Sequence, residues 1–264
     1  MLARYALRFG VLGYLAFLLL VPVGMIFYRT FEHGFWPAWH AVTTPAARHA
    51  LWLTILIAAI TVACNTVFGV ALAHWLVRGR SRGRGLVNAI IDLPLALSPV
   101  VVGLSLVFLY GTGGWFGGLA DHGIKILFAL PAMVLATIFV TIPFVVREVV
   151  PVLREIGTEQ EQAAETLGAS GFQVFRRVTL PAIRWGVAYG VVLTLARAIG
   201  EFGAVSVVSG RIEGQTQTMT LFVSAQYENF DYVGAYAAAV VLALIAFAAV
   251  VVMNVFRPKE GAGY

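Results

Sequence analysis

The residues with the clearest chemical potential lie inside an apolar run in the second half of the chain. Arg197 and Glu201 stand four residues apart, which places them on one face of a helix, about 6 Å apart along its axis. An ionised side chain in the hydrocarbon layer costs roughly 2.5–3.5 kcal/mol on insertion scales. We therefore expect the two side chains to face protein or water, and each other.

The other polar residues do not suggest an enzyme. A nucleophile, a base and a third group do not fall together at one membrane face, and the sequence lacks the Gly-rich phosphate loop with a lysine that ATP hydrolysis requires. The single cysteine, Cys64, excludes an internal disulfide and a thiolate metal cluster. Five histidines show no metal-ligand spacing: His33, His40, His49, His74 and His122. We expect no catalytic residue, no metal site and no cofactor bound by this chain.

The composition is that of a polytopic membrane protein. The 264 residues are 60% hydrophobic and 12% charged, and the mean hydropathy is +0.87, too apolar for a soluble domain of this length. Although the net charge is +5, the basic residues lie in short runs between apolar spans, where they act as topology signals. Membrane lipid is therefore an expected partner and nucleic acid is not.

Six apolar stretches are long enough to cross a hydrocarbon layer of about 30 Å. We expect an all-α bundle of six transmembrane helices, the first peripheral and the other five forming the core. The predicted spans are Phe9–Tyr28, Ala50–Val77, Leu86–Tyr110, Ile124–Val146, Ile183–Val208 and Tyr232–Phe256. The chain then divides into residues 1–49 (an N-terminal cytoplasmic segment, the first span and an external loop), a core of residues 50–256, and a cytoplasmic tail of residues 257–264.

Prolines interrupt the third span. Asp92, Pro94, Ser98 and Pro99 fall inside it, and each proline removes a backbone donor, so a broken helix is expected. The break has two interpretations. The N-terminus of a half-helix directs backbone N–H groups at anions, and Ser98 would add a hydroxyl donor. Alternatively, the prolines provide a kink needed for packing.

The distribution of lysine and arginine sets the orientation. With the N-terminus inside, most of the 18 basic residues lie on the cytoplasmic side, whereas Arg29, Arg48, Lys125 and Arg211 lie outside. Both termini are therefore expected in the cytoplasm. The long polar loop of residues 148–182, between the fourth and fifth spans, is expected on the same side.

That cytoplasmic loop carries two helix-start patterns. Thr158 with Glu161 is a capping box, and Ser170 with Gln173 repeats the pattern. Gly168 can take the left-handed conformation that ends the first helix. This helix has about nine residues, below the roughly 12 needed for marginal stability in isolation, so something must pack on it. Its small contact face would consist of Ala163, Ala164 and Leu167.

The same loop resembles the EAA loop of permease subunits in prokaryotic ATP-binding-cassette (ABC) importers. The matching positions are Gln162, Ala163, Ala164, Gly168, Val178, Leu180 and Pro181. In that family the loop is a coupling helix that sits in a cleft of the cytoplasmic ATPase, and the resemblance implies the same role here. Gln162 stands where the family most often has Glu, and Val178 where it has Ile. Glu161, one residue earlier, is a second candidate for the polar contact.

Two further stretches, Ala196–Gly210 and Asp92–Leu104, resemble the sulfate and molybdate branch of these permeases. Gly214–Met219 is more like the sulfate/thiosulfate members, specifically the second of two non-identical permease subunits. The resemblance implies a type I ABC importer permease in a prokaryotic inner membrane, forming half of a translocation path. It also implies a sister permease, two cytoplasmic ATPase subunits that use ATP, and a periplasmic or extracellular sulfate-binding protein.

The resemblance leaves the substrate path and the substrate open. Candidates to line a path for a tetrahedral oxyanion are Ser98, Pro99, Arg197, Glu201 and Ser206. For Arg197 and Glu201 the alternative is a structural ion pair that locks helices, because a carboxylate beside the path would repel an anion. Alternative functions are a molybdate or tungstate permease, and an ion-coupled secondary transporter that titrates Glu201 or Asp92.

Overall fold

Two long helices, α3 (Pro45–Arg78) and α6 (Leu130–Glu155), pack along each other at the centre of the fold. The computed structural model describes residues 2–79 and 82–256, so the predicted tail of residues 257–264 lies outside them. The other helices are α1 (Leu2–Phe31), α2 (Phe35–Thr43), α4 (Arg84–Ala96), α5 (Pro99–Tyr110), α7 (Glu159–Thr166), α8 (Gly171–Val174), α9 (Leu180–Ala182), α10 (Arg184–Ile199), α11 (Gly203–Val208), α12 (Met219–Glu228) and α13 (Tyr232–Phe256). The described residues contain no β-strand, which agrees with the predicted all-α class.

Small residues allow the central helices to approach closely. A Cβ atom added at Gly69 of α3 would lie 2.8 Å from Cβ of Val145 in α6, and one added at Gly190 of α10 would lie 2.8 Å from Cα of the same valine. Between α3 and α6, the buried Asn65 side chain donates to Oγ1 of Thr141 at 2.8 Å. Membrane helices associate through such close packing and interhelical hydrogen bonds, because lipid is as apolar as the core.

Four helices among the described residues are long and apolar enough to cross a membrane, and two bent pairs raise the number to six if each pair is one span. The predicted sixth span coincides with α13. The N-terminal helix α1 is peripheral, as expected, because the apolar window of its span contains no buried residue.

The bounds of the second and fourth predicted spans differ from those of the helices that form them. The fourth span begins at Leu130 rather than Ile124 and continues through Arg147 to Glu155. Pro131 explains the start, because the first turn of a helix leaves its N–H groups without helical partners, so a proline there loses no hydrogen bond. The second span begins at Pro45 rather than Ala50, where the Thr44 hydroxyl accepts a hydrogen bond from the Ala47 amide at 3.2 Å.

Two connections predicted as loops contain helices. The external loop of residues 30–49 holds α2, whose Phe35 and Trp39 rings stack at 6.0 Å. The polar connection Ser209–Asp231 holds α12, in which Met219, Leu221 and Phe222 are buried. The helix α12 packs on α13, which follows it directly, and on α3, which lies far earlier in the chain. The contact with α3 could not be read from the local apolar pattern.

The third span breaks where the prolines predicted it, with α4 and α5 meeting at 110°. At about 20 and 18 Å, neither half alone crosses the hydrocarbon layer. The fifth span was predicted as one continuous segment, and this was wrong. Its helix α10 ends at Ile199, and α11 begins at Gly203.

The close packing on Val145 generates a test. Replacing Gly190 by Ala should lower the melting temperature of the detergent-purified protein, because the methyl group meets the Val145 backbone. Overpacking costs about 1–3 kcal/mol, which outweighs the roughly 0.5–1 kcal/mol that alanine gains over glycine in a helix. Gly85→Ala in α4 is the control, since a Cβ there meets open space. Equal melting temperatures for the two variants would contradict this packing.

Candidate coupling segment and substrate path

The cytoplasmic loop folds as the predicted helix, turn and helix. Gly168 has a φ of +86°, the left-handed conformation expected after α7. At the start of α8, the Gln173 side chain accepts a hydrogen bond from the Ser170 amide at 2.8 Å, which is the predicted reciprocal cap. The second helix continues from α8 through a π-helical turn, Phe175–Thr179, into α9.

The predicted capping box at Thr158 and Glu161 is wrong. The Thr158 hydroxyl instead accepts a hydrogen bond from Nε2 of Gln162 at 3.0 Å. The Glu161 carboxylate turns inward, where Oε2 lies 2.8 Å from Nε of Arg78 and Oε1 accepts from the Thr179 hydroxyl at 2.7 Å. Charge-assisted hydrogen bonds of this kind are about twice as strong as neutral ones, which explains why the carboxylate leaves the helix start.

The predicted contact face of α7 is open to solvent. Leu167 is 89% exposed, Ala163 is exposed and Ala164 is half-buried. On the other side of the turn, Phe172 is 72% exposed, an apolar residue that the sequence analysis did not single out. Large apolar side chains exposed on a short polar segment are typical of a surface that a partner covers.

The remaining motif residues connect this surface to the membrane helices. Gln162 is exposed beside the contact face, and Val178 is half-buried in the π-helical turn. Leu180 and Pro181 are exposed in α9, which meets α10 at a bend of 70°. The residue at that bend, Ile183, is fully buried in a cluster with α6. The segment from α7 to α9, called the coupling segment below, is thus attached to the core.

The breaks in the third and fifth spans lie against each other. A Cβ added at Gly203, the first residue of α11, would lie 2.9 Å from Cβ of Pro99, the first residue of α5. One turn further on, a Cβ at Gly103 would lie 2.8 Å from the carbonyl oxygen of Ala204. The two half-helices are therefore parallel, with their N-termini side by side. Ser98, the cap residue of α5, is exposed at this place.

Arg197 and Glu201 form the expected pair, with Nη1 of the arginine 2.6 Å from Oε2 of the glutamate. The Glu201 side chain is 1% exposed and the Arg197 side chain 33%. The other carboxylate oxygen of Glu201 accepts a hydrogen bond from the Ala204 amide at 2.8 Å. Glu201 thus caps the N-terminus of α11 and neutralises the arginine at the same time. The carboxylate thus accepts a hydrogen bond from a backbone amide beside the interruption of the helix.

Ser206 lies in α11, away from the break. Its hydroxyl donates to the carbonyl oxygen of Gly203 at 2.8 Å, and its own carbonyl accepts from Nε of Arg211 at 3.2 Å. The structure therefore brings Ser98 and Pro99 close to the break that contains Glu201, whereas the Ser206 hydroxyl is engaged within its own helix.

An ion pair that joins α4 to α6 was not predicted. The Arg147 guanidinium donates to both carboxylate oxygens of Asp92, with Nε 2.9 Å from Oδ1. The signal was present in the sequence as one acidic residue inside the third predicted span and one basic residue directly after the fourth. The prediction failed because Arg147 was placed after the fourth span and not inside α6.

Comparison with known proteins places this arrangement in a class. Residues 65–260 match the family described as "Binding-protein-dependent transport system inner membrane component". The chain belongs to this family of ABC importer permeases, and it is a multi-pass membrane protein.

Within that family, the chain is similar to sulfate permease subunits. It is 49% identical over 259 residues to the sulfate transport system permease protein CysW of Synechocystis, covering 98% of this chain and 94% of the relative. It is 51% identical over 232 residues to CysW of Escherichia coli K12, covering 88% and 80%. Identity to CysT of Salmonella typhimurium is 36% over 249 residues, covering 94% and 90%. The predicted resemblance to the second, W-type sulfate subunit is confirmed.

Solved structures support the fold. The crystal structure of a bacterial ABC transporter that imports alginate matches with a TM-score of 0.79 at 19% identity, covering 96% of this chain and 93% of the other. A second structure, of the alginate transporter with a periplasmic protein carrying an alginate pentasaccharide, matches with a TM-score of 0.78 at 20% identity, covering 96% and 92%. The fold is therefore that of an ABC importer permease, as predicted.

The dual role of Glu201 generates a second test. Glu201→Leu should destabilise the protein, because it leaves Arg197 without its partner. Removing one partner of a fully buried pair costs about 3–5 kcal/mol. Because the Arg197 side chain is 33% exposed, we expect a smaller loss of about 1–3 kcal/mol. The double variant Arg197→Leu/Glu201→Leu should recover part of this loss, measured as melting temperature in detergent. A double variant no more stable than the single one would contradict a structural ion pair.

Proposed function

We propose that this chain is one half of the translocation path of an ATP-driven importer of sulfate or thiosulfate. It performs no chemistry and binds no cofactor, and ATP is used by a separate cytoplasmic ATPase. Its partners are a sister permease of the T type, two ATPase subunits and an external sulfate-binding protein. The observation that carries the proposal is the exposed coupling segment α7–α9 on a chain similar along almost its whole length to sulfate permeases.

The coupling segment supports the ATPase as a partner. A short helix with Ala163 and Leu167 on an open face suits a protein cleft, because alanine allows close approach and leucine fills a pocket. The excess of Lys and Arg near this segment supports a cytoplasmic location for it and for both termini. ATP is available on that side of the membrane. The adjacent Gln162 is exposed, so it is available for a polar contact with the ATPase.

Two kinds of relative support the other partners. The chain is similar to both CysW and CysT permease proteins, more closely to the former, which favours a pair of different subunits. The fold neighbour crystallised with a periplasmic protein favours a binding protein that delivers the substrate from outside. The proposed location is a prokaryotic inner membrane.

The break at Ser98 and Pro99 is the proposed place where the oxyanion meets this subunit. The exposed Ser98 hydroxyl lies at the N-terminus of α5, an arrangement that favours anions. The neighbouring α11 is less suited, because the Glu201 carboxylate already caps it. Arg197 is proposed to be chiefly structural, although a third of its side chain is exposed.

The rival mechanism of ion-coupled transport is not favoured by these contacts. Its two candidate carboxylates, Glu201 and Asp92, are each paired with an arginine. Ion coupling requires a carboxylate that is free to bind and release a cation during transport, whereas both of these carboxylates are held in ion pairs.

The turn of the coupling segment generates a direct test. Gly168→Val forces a β-branched residue into a positive φ, a genuine outlier conformation for such residues. In the assembled complex, we expect stimulation of ATP hydrolysis by the loaded binding protein to fall several-fold. The control is Gly171→Ala, where a Cβ meets open space and φ is not positive. Normal stimulation in the Gly168 variant would show that the turn is not needed for coupling.

A further inference from the structure

Unlike its neighbours Gln162 and Ala163 in α7, Glu161 directs its side chain toward the core of the protein. Its side chain is 12% exposed and that of its partner Arg78 is 15% exposed, whereas the neighbouring Gln162 and Ala163 are exposed. The arginine also donates to the carbonyl oxygen of Gly157, just before α7. A buried pair with its hydrogen bonds satisfied holds both groups in one geometry.

The pair joins α7 to the cytoplasmic end of α3 and, through Thr179, to the second helix of the coupling segment. Arg78 is the last residue of α3. One turn earlier, the His74 ring contacts the Phe175 ring edge-on, with centroids 5.4 Å apart. Residues four apart lie on one face of a helix. Both helices of the coupling segment are therefore held by the same face of α3.

The opposite end of α3 contacts the elements around the break in the fifth span. The Thr54 hydroxyl accepts a hydrogen bond from the Met219 amide, at the start of α12, at 2.8 Å. The next residue, Thr220, donates to the carbonyl oxygen of Glu201 at 2.8 Å. From Thr54 to Arg78, α3 is about 36 Å long. It is thus a continuous helix between the coupling segment and the break.

We propose that Glu161 is a positioning residue that fixes α7 to α3 during transport, and is not a contact to the ATPase. This inference rests on the proposed function, in which an ATPase moves α7. With Glu161 and Arg78 joined, a displacement of α7 must displace the cytoplasmic end of α3 as well. If the pair is lost, α7 moves with the ATPase while α3 stays behind.

The test uses the complete complex of this chain, its sister permease, the ATPase subunits and the binding protein in lipid vesicles. Glu161→Gln and Arg78→Gln are compared with matched controls, Glu155→Gln at the end of α6 and Arg82→Gln, both exposed in the cytoplasm. The measurements are ATPase retention on purification, ATP hydrolysis with and without sulfate-loaded binding protein, and sulfate taken up per ATP.

Both substitutions at the pair should leave ATPase retention unchanged. Sulfate uptake per ATP should fall about tenfold, the order expected when a hydrogen bond to a charged group is lost, and the controls should resemble the wild type. Normal uptake per ATP in Glu161→Gln would overturn the inference. So would loss of the ATPase from that variant, because Glu161 would then be an ATPase contact.

A second variant covers the case in which the substitutions impair folding. In a chain with Cys64→Ala, Arg78→Cys and Glu161→Cys, uptake per ATP should be low and should recover when a short bifunctional thiol reagent links the two positions. Failure to recover in vesicles with a high yield of linked protein would overturn the inference. Absence of ATP-driven sulfate uptake by the wild-type complex would instead refute the proposed function.

Discussion

The structure depends on one constraint: within a membrane, every interruption of a helix exposes backbone polar groups that water cannot reach, so protein groups must satisfy them. The fifth span meets this constraint at Glu201. The Glu201 carboxylate accepts a hydrogen bond from the Ala204 amide, and the backbone carbonyl oxygen of Glu201 accepts one from the Thr220 hydroxyl. The third span places its break beside this one, with Pro99 against Gly203. The two interruptions therefore lie at one place, which is the place proposed for the substrate path.

The same constraint explains where the most closely packed helices lie. The helices α3 and α6 run without interruption and are joined by the bond between Asn65 and Thr141. Gly69 and Gly190 bring α3 and α10 against Val145 of α6. The coupling segment is attached to this unit at Ile183 and through Arg78. Its apolar residues Ala163 and Leu167 are exposed, as the proposed contact with an ATPase requires.

Features set by local sequence could be predicted. The sixth span was correct because an uninterrupted apolar run defines a membrane helix, and the break near Pro99 and the turn at Gly168 followed from residues whose backbone preferences are fixed. Features set by distant contacts could not. The helix α12 packs on α3, far earlier in the chain, and the Glu161 carboxylate bonds to Arg78, 83 residues away. The same limit applies to the pair of Asp92 and Arg147, which are 55 residues apart.

The candidate site shows this division clearly. The positions of the proposed coupling motif came from the resemblance to the EAA loop. The side chain expected to cap the first helix of that loop, Glu161, instead faces the core. For the candidate path, sequence placed Arg197 and Glu201 on one helix face, and the pair formed. That the carboxylate also caps α11 could not be foreseen, because the predicted helix had no break there.

The most direct test of the central claim, that a separate ATPase drives this subunit through its coupling segment, is sulfate accumulation in sealed lipid vesicles. The account predicts ATP-dependent accumulation when this chain is reconstituted with its sister permease, the ATPase and the binding protein. It predicts no accumulation by this chain alone under an imposed proton or sodium gradient. Accumulation by the chain alone, without any ATPase, would contradict the account.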